Sequence, residues 1–137
     1  MQLQLTTDYA LRILSFLASE ERVVSSTELG ERLAVSQKYV LRIGNKLKAN
    51  GFVDAVYGIN GGFTISRPLE DISIYDVIVA IEGTIKLNRC LEPDGYCSRN
   101  ATTFCVVHHF YREIQEELEK KMKAETLATL LEKSKRI

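Results

Sequence analysis

The amino-acid sequence predicts a mainly α-helical fold with one small β-hairpin, arranged as a winged helix-turn-helix that is followed by a long C-terminal helix. Three features predict this architecture. A short capped helix is followed after a tight turn by a helix with one apolar and one basic face, a glycine-rich hairpin comes next, and a long helix with a narrow apolar stripe lies near the end. That order of elements is typical of winged-helix DNA-binding domains.

The first two helices are predicted from apolar spacing and from a helix cap. Between Asp8 and Ala18, apolar residues recur at helical spacing, which predicts one amphipathic helix. These residues are Ala10, Ile13, Leu14 and Leu17. Ser25-Ser-Thr-Glu28 has the spacing of a capping box, in which the serine oxygen accepts a helix amide and the glutamate reaches back. We expect a short helix to start there and to end near Ala34.

The third predicted helix concentrates positive charge on one face. Ser36 is its expected cap, the helix runs to about Ala49, and Asn50-Gly51 provides a left-handed stop. Between Ser36 and Gly51 there are four basic residues and no acid, although the formal net charge of the whole chain is zero. A solvated charged face is the usual explanation of a lone basic helix. The capped helix before it favours instead a recognition helix in the DNA major groove.

Two alternating runs, Phe52 to Tyr57 and Phe63 to Arg67, predict a β-hairpin directly after the recognition helix. The Asn60-Gly61 pair between them tolerates positive φ, as a tight hairpin turn requires. A hairpin in this position is predicted to be the wing. The residues expected to contact DNA from helix and wing are Ser36, Gln37, Lys38, Tyr39, Arg42, Lys46, Tyr57 and Asn60.

A further short helix is expected around Ile74 to Ile81, and a long helix is expected from about Val106. The long helix has densely charged faces and one narrow apolar stripe, made of Val107, Phe110, Tyr111, Ile114, Leu118 and Met122. Because such a stripe is typical of helices that pair, we expect a homodimer. The chain is thus predicted to divide into a winged-helix domain (1–83), a cysteine-bearing loop (84–104) and a dimerisation helix with a C-terminal tail (105–137).

Two cysteines lie in the predicted loop and the third directly follows it, in the pattern Cys90-x6-Cys97-x7-Cys105-x2-His108, with His109 adjacent. Thiolates are the preferred ligands of iron-sulfur clusters, and imidazole can replace a thiolate on one iron. The spacing matches neither a zinc ribbon nor a ferredoxin run. By itself it leaves open a cluster, a zinc site, thiol redox sensing and cysteines without a function.

The N-terminal apolar stretch is interrupted by Asp8 and Arg12, so we expect neither a signal peptide nor a transmembrane helix. We therefore expect a cytoplasmic protein whose thiols are reduced. The sequence shows no acid-base pair of the kind that a metal-dependent enzyme needs in its pocket, and no enzymatic activity is expected. A protein-interaction domain would not need the basic helix.

The ordered motifs resemble those of the Rrf family of bacterial winged-helix regulators from Met1 to about Leu131. The motifs that carry the resemblance are Leu5-Thr-Thr-Asp-Tyr-Ala-Leu-Arg12, Ser36-x-x-Tyr39-Val40, Gly58-x-x-Gly61-Gly62-Phe63 and Val77-Ile-x-Ala80-Ile-Glu-Gly83. The resemblance implies a repressor that binds a palindromic operator in double-stranded DNA as a homodimer. It also implies an iron-sulfur cluster on Cys90, Cys97 and Cys105, with a 2Fe-2S cluster favoured over a 4Fe-4S cluster.

The resemblance offers two candidates for the fourth cluster ligand. His108 stands at the position of the histidine ligand in the family's cluster regulator. Asp8 matches the aspartate with which the family's nitric-oxide sensor completes its cluster from the other subunit, although an acid near a helix start is ordinarily explained by the helix dipole. We favour His108 because its spacing from Cys105 is local.

The chain also departs from the family pattern. Its cysteine spacings are longer than the most common ones, Tyr57 stands where the cluster regulator has an arginine, and Arg42 stands where it has a glutamine. The operator sequence therefore cannot be carried over to this chain. A winged-helix repressor without a cluster, responding to thiol oxidation or to a metabolite, is the alternative function.

Overall fold

A computed structural model describes residues 1–137 and confirms the predicted fold class, six helices with one two-stranded sheet. The helices are α1 (Leu5–Glu20), α2 (Ser26–Leu33), α3 (Gln37–Ala49), α4 (Ile74–Glu82), α5 (Val106–Ala124) and α6 (Leu127–Ser134), and the strands are β1 (Val53–Val56) and β2 (Gly62–Ile65). None of the helices is both long enough and apolar enough to cross a membrane.

The predicted caps set the starts of α2 and α3. The Ser25 Oγ accepts a hydrogen bond from the Glu28 amide at 3.1 Å, and the Ser36 Oγ accepts one from the Tyr39 amide at 3.3 Å. The returning half of the predicted capping box does not form, because the Glu28 carboxylate instead accepts from the Arg22 guanidinium at 2.6 Å. The serine caps alone therefore hold the two helices of the helix-turn-helix at their starts.

Helix α1 extends beyond the predicted range at both ends. Its N-cap residue, Gln4, makes no side-chain cap. The carboxylate of Glu82, at the end of α4, accepts instead from the Gln4 amide and from the Thr7 hydroxyl, both at 3.0 Å. Because this cap comes from a residue far along the chain, local spacing around Asp8 could not reveal it.

The wing is fastened to the helical core on two sides. Strands β1 and β2 pair antiparallel from Val53 opposite Ile65 to Val56 opposite Gly62. Phe63 also exchanges two backbone hydrogen bonds with Val24, both of 2.9 Å. The Phe63 ring is buried in the core formed by α1, α2, α3 and α4. These contacts fix where the wing stands relative to α3.

The tail predicted after α5 contains a further helix, α6. Thr126 caps α6 in a capping box with Thr129. The neighbouring Leu127 is buried, and its amide donates to the Ile72 carbonyl at 3.0 Å. Helix α6 packs against α1. The last helix thus joins the core of the winged-helix domain, although it follows α5 in the chain.

Replacing Gly44 by alanine is expected to destabilise the contact between α3 and the wing. A Cβ atom at Gly44 would lie 2.4 Å from the buried ring of Phe63, so ring or helix would have to move. Overpacking of this kind costs about 1–3 kcal/mol of unfolding free energy. Urea denaturation of Gly44→Ala measures the loss, and equal stability to the wild type would contradict this packing.

Candidate DNA interface and cysteine cavity

The outer face of α3 carries exposed basic side chains that are not engaged in salt bridges. The side chains of Lys38, Arg42 and Lys46 are exposed, and none of them forms a salt bridge. The opposite face of α3 is buried in the core through residues that include Val40 and Leu47. The helix therefore presents one unpaired basic face to solvent, which suits phosphate and base contacts.

Other expected contact residues at the start of α3 already have partners within the protein. Gln37 Nε2 donates to the hydroxyls of Ser26 at 3.0 Å and Thr27 at 3.1 Å. The Tyr39 ring meets the Tyr9 ring edge-on, with centroids 6.0 Å apart. These contacts place two hydroxyls from the start of α2 beside the start of α3. Sequence reasoning missed Ser26 and Thr27, because only the turn between the helices brings them there.

The wing joins the same surface. Tyr57 is 79% exposed, and its hydroxyl accepts from Lys48 Nζ at 2.7 Å. Asn60 is exposed at the turn of the hairpin. A groove of about 410 Å³ runs between the start of α2, α3 and the wing, and residues such as Ser26, Asn45 and Tyr57 line it. Lys48 thus holds the wing against α3, while the free cations remain on the helix.

The structure gathers the cysteines at the start of α5. Cys90 lies in a short 3-10 turn (Arg89–Leu91), the Cys97 carbonyl accepts from Asn100 in a tight turn, and Cys105 is the N-cap of α5. All three are half-buried and free of disulfides. Together with His108 they line one cavity of about 350 Å³. The three thiols and the histidine thus line the same cavity.

Backbone amides around Cys97 favour the ionised form of its thiol. Hydrogen bonding by the Ala101 amide, with further bonds from the Arg99 and Asn100 amides, lowers the Cys97 pKa below its usual value. The positive charge of Arg99 acts in the same direction. Because the thiolate is the form that binds metals, this turn favours ligation.

The two adjacent histidines differ in their surroundings. The Nδ1 atom of His108 is buried and has no hydrogen-bond partner. In contrast, His109 has Arg112 3.2 Å from its Nδ1 and the Thr103 carbonyl 3.4 Å from its Nε2. A buried polar atom without a partner is costly and calls for an explanation, such as a bound ion or water. His108, rather than His109, lines the cysteine cavity and has a ring nitrogen without a partner.

Asp8 lies elsewhere in the same chain. Its carboxylate pairs with Arg12 at 2.7 Å and lines an open groove between α1 and α6 rather than the cysteine cavity. Within one chain, the structure does not bring Asp8 together with the three thiols. A ligand role for Asp8 is therefore a prediction about the other subunit of a dimer.

The cavity lining combines three thiols with one imidazole, but no three His, Cys, Asp or Glu side chains converge on one point that could hold one metal ion. Ligands of an iron-sulfur cluster bind different irons, so they need not converge on one point. Thiolate and imidazole are ligand types that such a cluster takes, and a cluster in this cavity stays a prediction.

The predicted apolar stripe of α5 is exposed at four of its six residues. Val107 is 48% exposed, Phe110 57%, Ile114 37% and Leu118 38%. Tyr111, which lines the cysteine cavity, and Met122, which packs against the core, are half-buried. Large apolar side chains spaced along one helix face and left in water are typical of an interaction surface.

Comparisons with known proteins agree with this geometry. The sequence model of the Rrf2 family, described as an iron-dependent transcriptional regulator, matches residues 3–133. A candidate HTH-type transcriptional regulator of Aquifex aeolicus (strain VF5) is 28% identical over 127 residues, which are 92% of this chain and 88% of that relative.

Two solved structures share the fold. IscR of T. potens superposes with a TM-score of 0.77 at 23% identity, covering 98% of this chain and 88% of that chain. CymR of B. subtilis, described as the global cysteine regulator, gives a TM-score of 0.74 at 20% identity and covers 96% of this chain and 97% of that chain. These structures support the winged-helix architecture.

Proposed function

Because the chain belongs to the Rrf2 family of transcriptional regulators, we propose that it represses transcription as a homodimer under the control of an iron-sulfur cluster. The observation that carries this proposal is the cavity at the start of α5, which is lined by all three cysteines and by His108. The cavity adjoins the helix that carries the exposed apolar stripe.

The residues that would hold the cluster are Cys90, Cys97, Cys105 and His108. A 2Fe-2S cluster is favoured over a 4Fe-4S cluster. The bound cluster would supply a redox-active group that oxygen or nitric oxide can attack. The protein's own part is to present the thiolates: the turn after Cys97 stabilises its ionised form, and α5 fixes Cys105 and His108 one turn apart.

Anaerobic purification tests the proposal. The wild-type protein is expected to carry iron and acid-labile sulfide, to absorb visible light, and to change its operator affinity when the cluster is removed. A colourless protein without iron, whose DNA binding is the same before and after anaerobic reconstitution with iron and sulfide, would contradict it.

The alternative function is a repressor without a cluster that responds to thiol oxidation. The lowered pKa of Cys97 favours it, since a thiolate is the form that oxidants attack. A structure of S. aureus CymR in an oxidised form has the same fold. Under this alternative, the iron-free protein would lose operator binding on mild oxidation and recover it with a thiol reductant.

Arg42→Ala is expected to weaken operator binding by roughly 1–3 kcal/mol and to relax specificity, as loss of a base contact does. Lys38→Ala should instead weaken binding to all sequences and lower the salt slope by about one, as loss of a phosphate contact does. Fluorescence anisotropy with operator and scrambled duplexes separates the two effects. Unchanged affinity and selectivity of Arg42→Ala would show that this face does not read bases.

His108→Ala is expected to lower the cluster content or to shift its visible spectrum, because His108 lines the cavity and its Nδ1 has no partner within the protein. Asp8→Ala is the competing variant, and we expect it to keep the wild-type spectrum. Both proteins are prepared anaerobically and compared for iron, sulfide and absorption. Full, spectrally unchanged clusters in both variants would exclude both residues as ligands. Cluster loss in Asp8→Ala alone would favour Asp8 over His108 as the fourth ligand.

A further inference from the structure

Gln115 is the only buried residue of α5, and both polar atoms of its side-chain amide are hydrogen-bonded. Its Oε1 accepts from the backbone N–H of Leu87 at 2.8 Å, and its Nε2 donates to the Ile85 carbonyl at 3.2 Å. One side chain thus binds the N–H and the carbonyl of two residues that are two positions apart. The amide therefore replaces the N–H and carbonyl groups that the backbone of a neighbouring β-strand would offer to an extended segment.

The segment that Gln115 holds leads directly to Cys90. Leu87 precedes Cys90 by three residues, a span of at most about 10 Å. The connection is itself ordered, because the Leu91 amide donates to the Asn88 carbonyl at 3.0 Å and Asn88 Nδ2 donates to Cys90 Sγ at 3.3 Å. Fixing the backbone at Leu87 therefore also restricts where the Cys90 thiol can lie.

The same helix also presents the other donors. Gln115 follows His108 by seven residues, which places both on one face of α5. Cys90, His108 and Gln115 line one cleft of about 300 Å³. One turn beyond Gln115, the Glu119 carboxylate accepts from Lys86 Nζ at 3.3 Å, which holds the residue between Ile85 and Leu87. Helix α5 thus carries His108 and also binds the backbone segment that leads to Cys90.

From these contacts we propose that Gln115 is a positioning residue for Cys90: it anchors the loop to α5, so that the Cys90 thiol faces Cys105 and His108 before any metal binds. The consequence for cluster binding rests on the proposed function, but the anchor is a property of the metal-free protein. An apolar residue at this position would leave the Leu87 N–H and the Ile85 carbonyl without partners.

The test compares Gln115→Met with the wild type in the metal-free, reduced protein. Methionine is similar in length and removes both hydrogen bonds. The Leu87 amide is expected to exchange its hydrogen about fivefold faster, and the Cys90 thiol to react about fivefold faster with iodoacetamide, the factor that one net hydrogen bond supplies. Cys97, held by its own turn, is expected to keep its rate. Glu117→Gln, an exposed change on the same helix, is the matched control.

Unchanged Cys90 alkylation and Leu87 exchange in folded Gln115→Met would overturn the proposal. If this variant does not fold, Gln115→Glu carries the test. It keeps an acceptor for the Leu87 N–H, so a smaller increase in both rates is expected and no increase would overturn the anchor. Anaerobic reconstitution with iron and sulfide gives a second readout, in which Gln115→Met should take up less cluster than the wild type. If the wild-type protein takes up no cluster, the proposed function is wrong. The Cys90 alkylation rates then still test whether Gln115 anchors the loop.

Discussion

Cys105→Ser protein prepared without oxygen is expected to fold like the wild type but to lose the iron-sulfur cluster and the dependence of operator binding on it. Cys105 has two separable roles. Its Sγ accepts from the His108 amide at 3.4 Å as the N-cap of α5, and its thiol lines the cysteine cavity. Serine is a preferred N-cap residue, so the substitution keeps the helix start and removes only the soft ligand.

The measurements are iron and sulfide content, the visible spectrum and the far-ultraviolet circular dichroism of the same samples. Thr103→Ala, an exposed change before Cys105 that lies outside the cavity lining, is the control and is expected to retain the cluster. A full, spectrally unchanged cluster in Cys105→Ser would remove Cys105 from the ligand set. A colourless variant with wild-type helix content would separate ligation from folding.

Where hydrogen bonds and apolar spacing are local, the sequence predicts the fold well. Ser25 and Ser36 cap the helices for which they were expected, and the hairpin forms between the two predicted runs. Its turn runs from Gly58 to Gly61, and positive φ falls on Gly58 and Gly62 rather than on the predicted Asn60-Gly61 pair. Side-chain caps and turns depend on residues within a few positions of one another, so spacing alone reveals them.

The parts of the fold that the sequence did not predict depend on distant residues. Helix α1 begins earlier than predicted because Glu82 caps it across the fold. Helix α6 was predicted only as a tail, since Leu127 and Leu130 make too short an apolar run to predict where a helix docks. In both cases tertiary packing, rather than local propensity, decides the outcome.

The same distinction applies to the site. The cysteine pattern named three thiols that line one cavity in the structure, and their role as cluster ligands stays a prediction. It could not predict that Lys48 holds Tyr57 or that Gln115 holds the backbone before Cys90. Both are contacts between elements, and a buried glutamine on a densely charged helix looks like one more solvated polar residue.

The exposed stripe on α5 leads to the prediction with the largest effect on DNA binding. Ile114→Glu is expected to give a monomer, because it places a charge at the centre of a stripe formed with Phe110 and Leu118, which all lie on one face at intervals of four residues. A carboxylate buried at a helix pair would have to be desolvated without a partner. The stripe is exposed in the single chain, so the monomer itself should remain folded.

Loss of the dimer is expected to lower operator affinity by about 10²- to 10⁴-fold, because the second half-site is then no longer bound at high effective concentration. Sedimentation velocity gives the oligomeric state, and anisotropy with full and half operators gives the affinity. Lys120→Glu is the control, since it changes the charge more but lies about 120° around the helix from Ile114. A wild type that sediments as a monomer at micromolar concentration would refute the dimer. An Ile114→Glu dimer with full operator affinity would show instead that another surface joins the subunits.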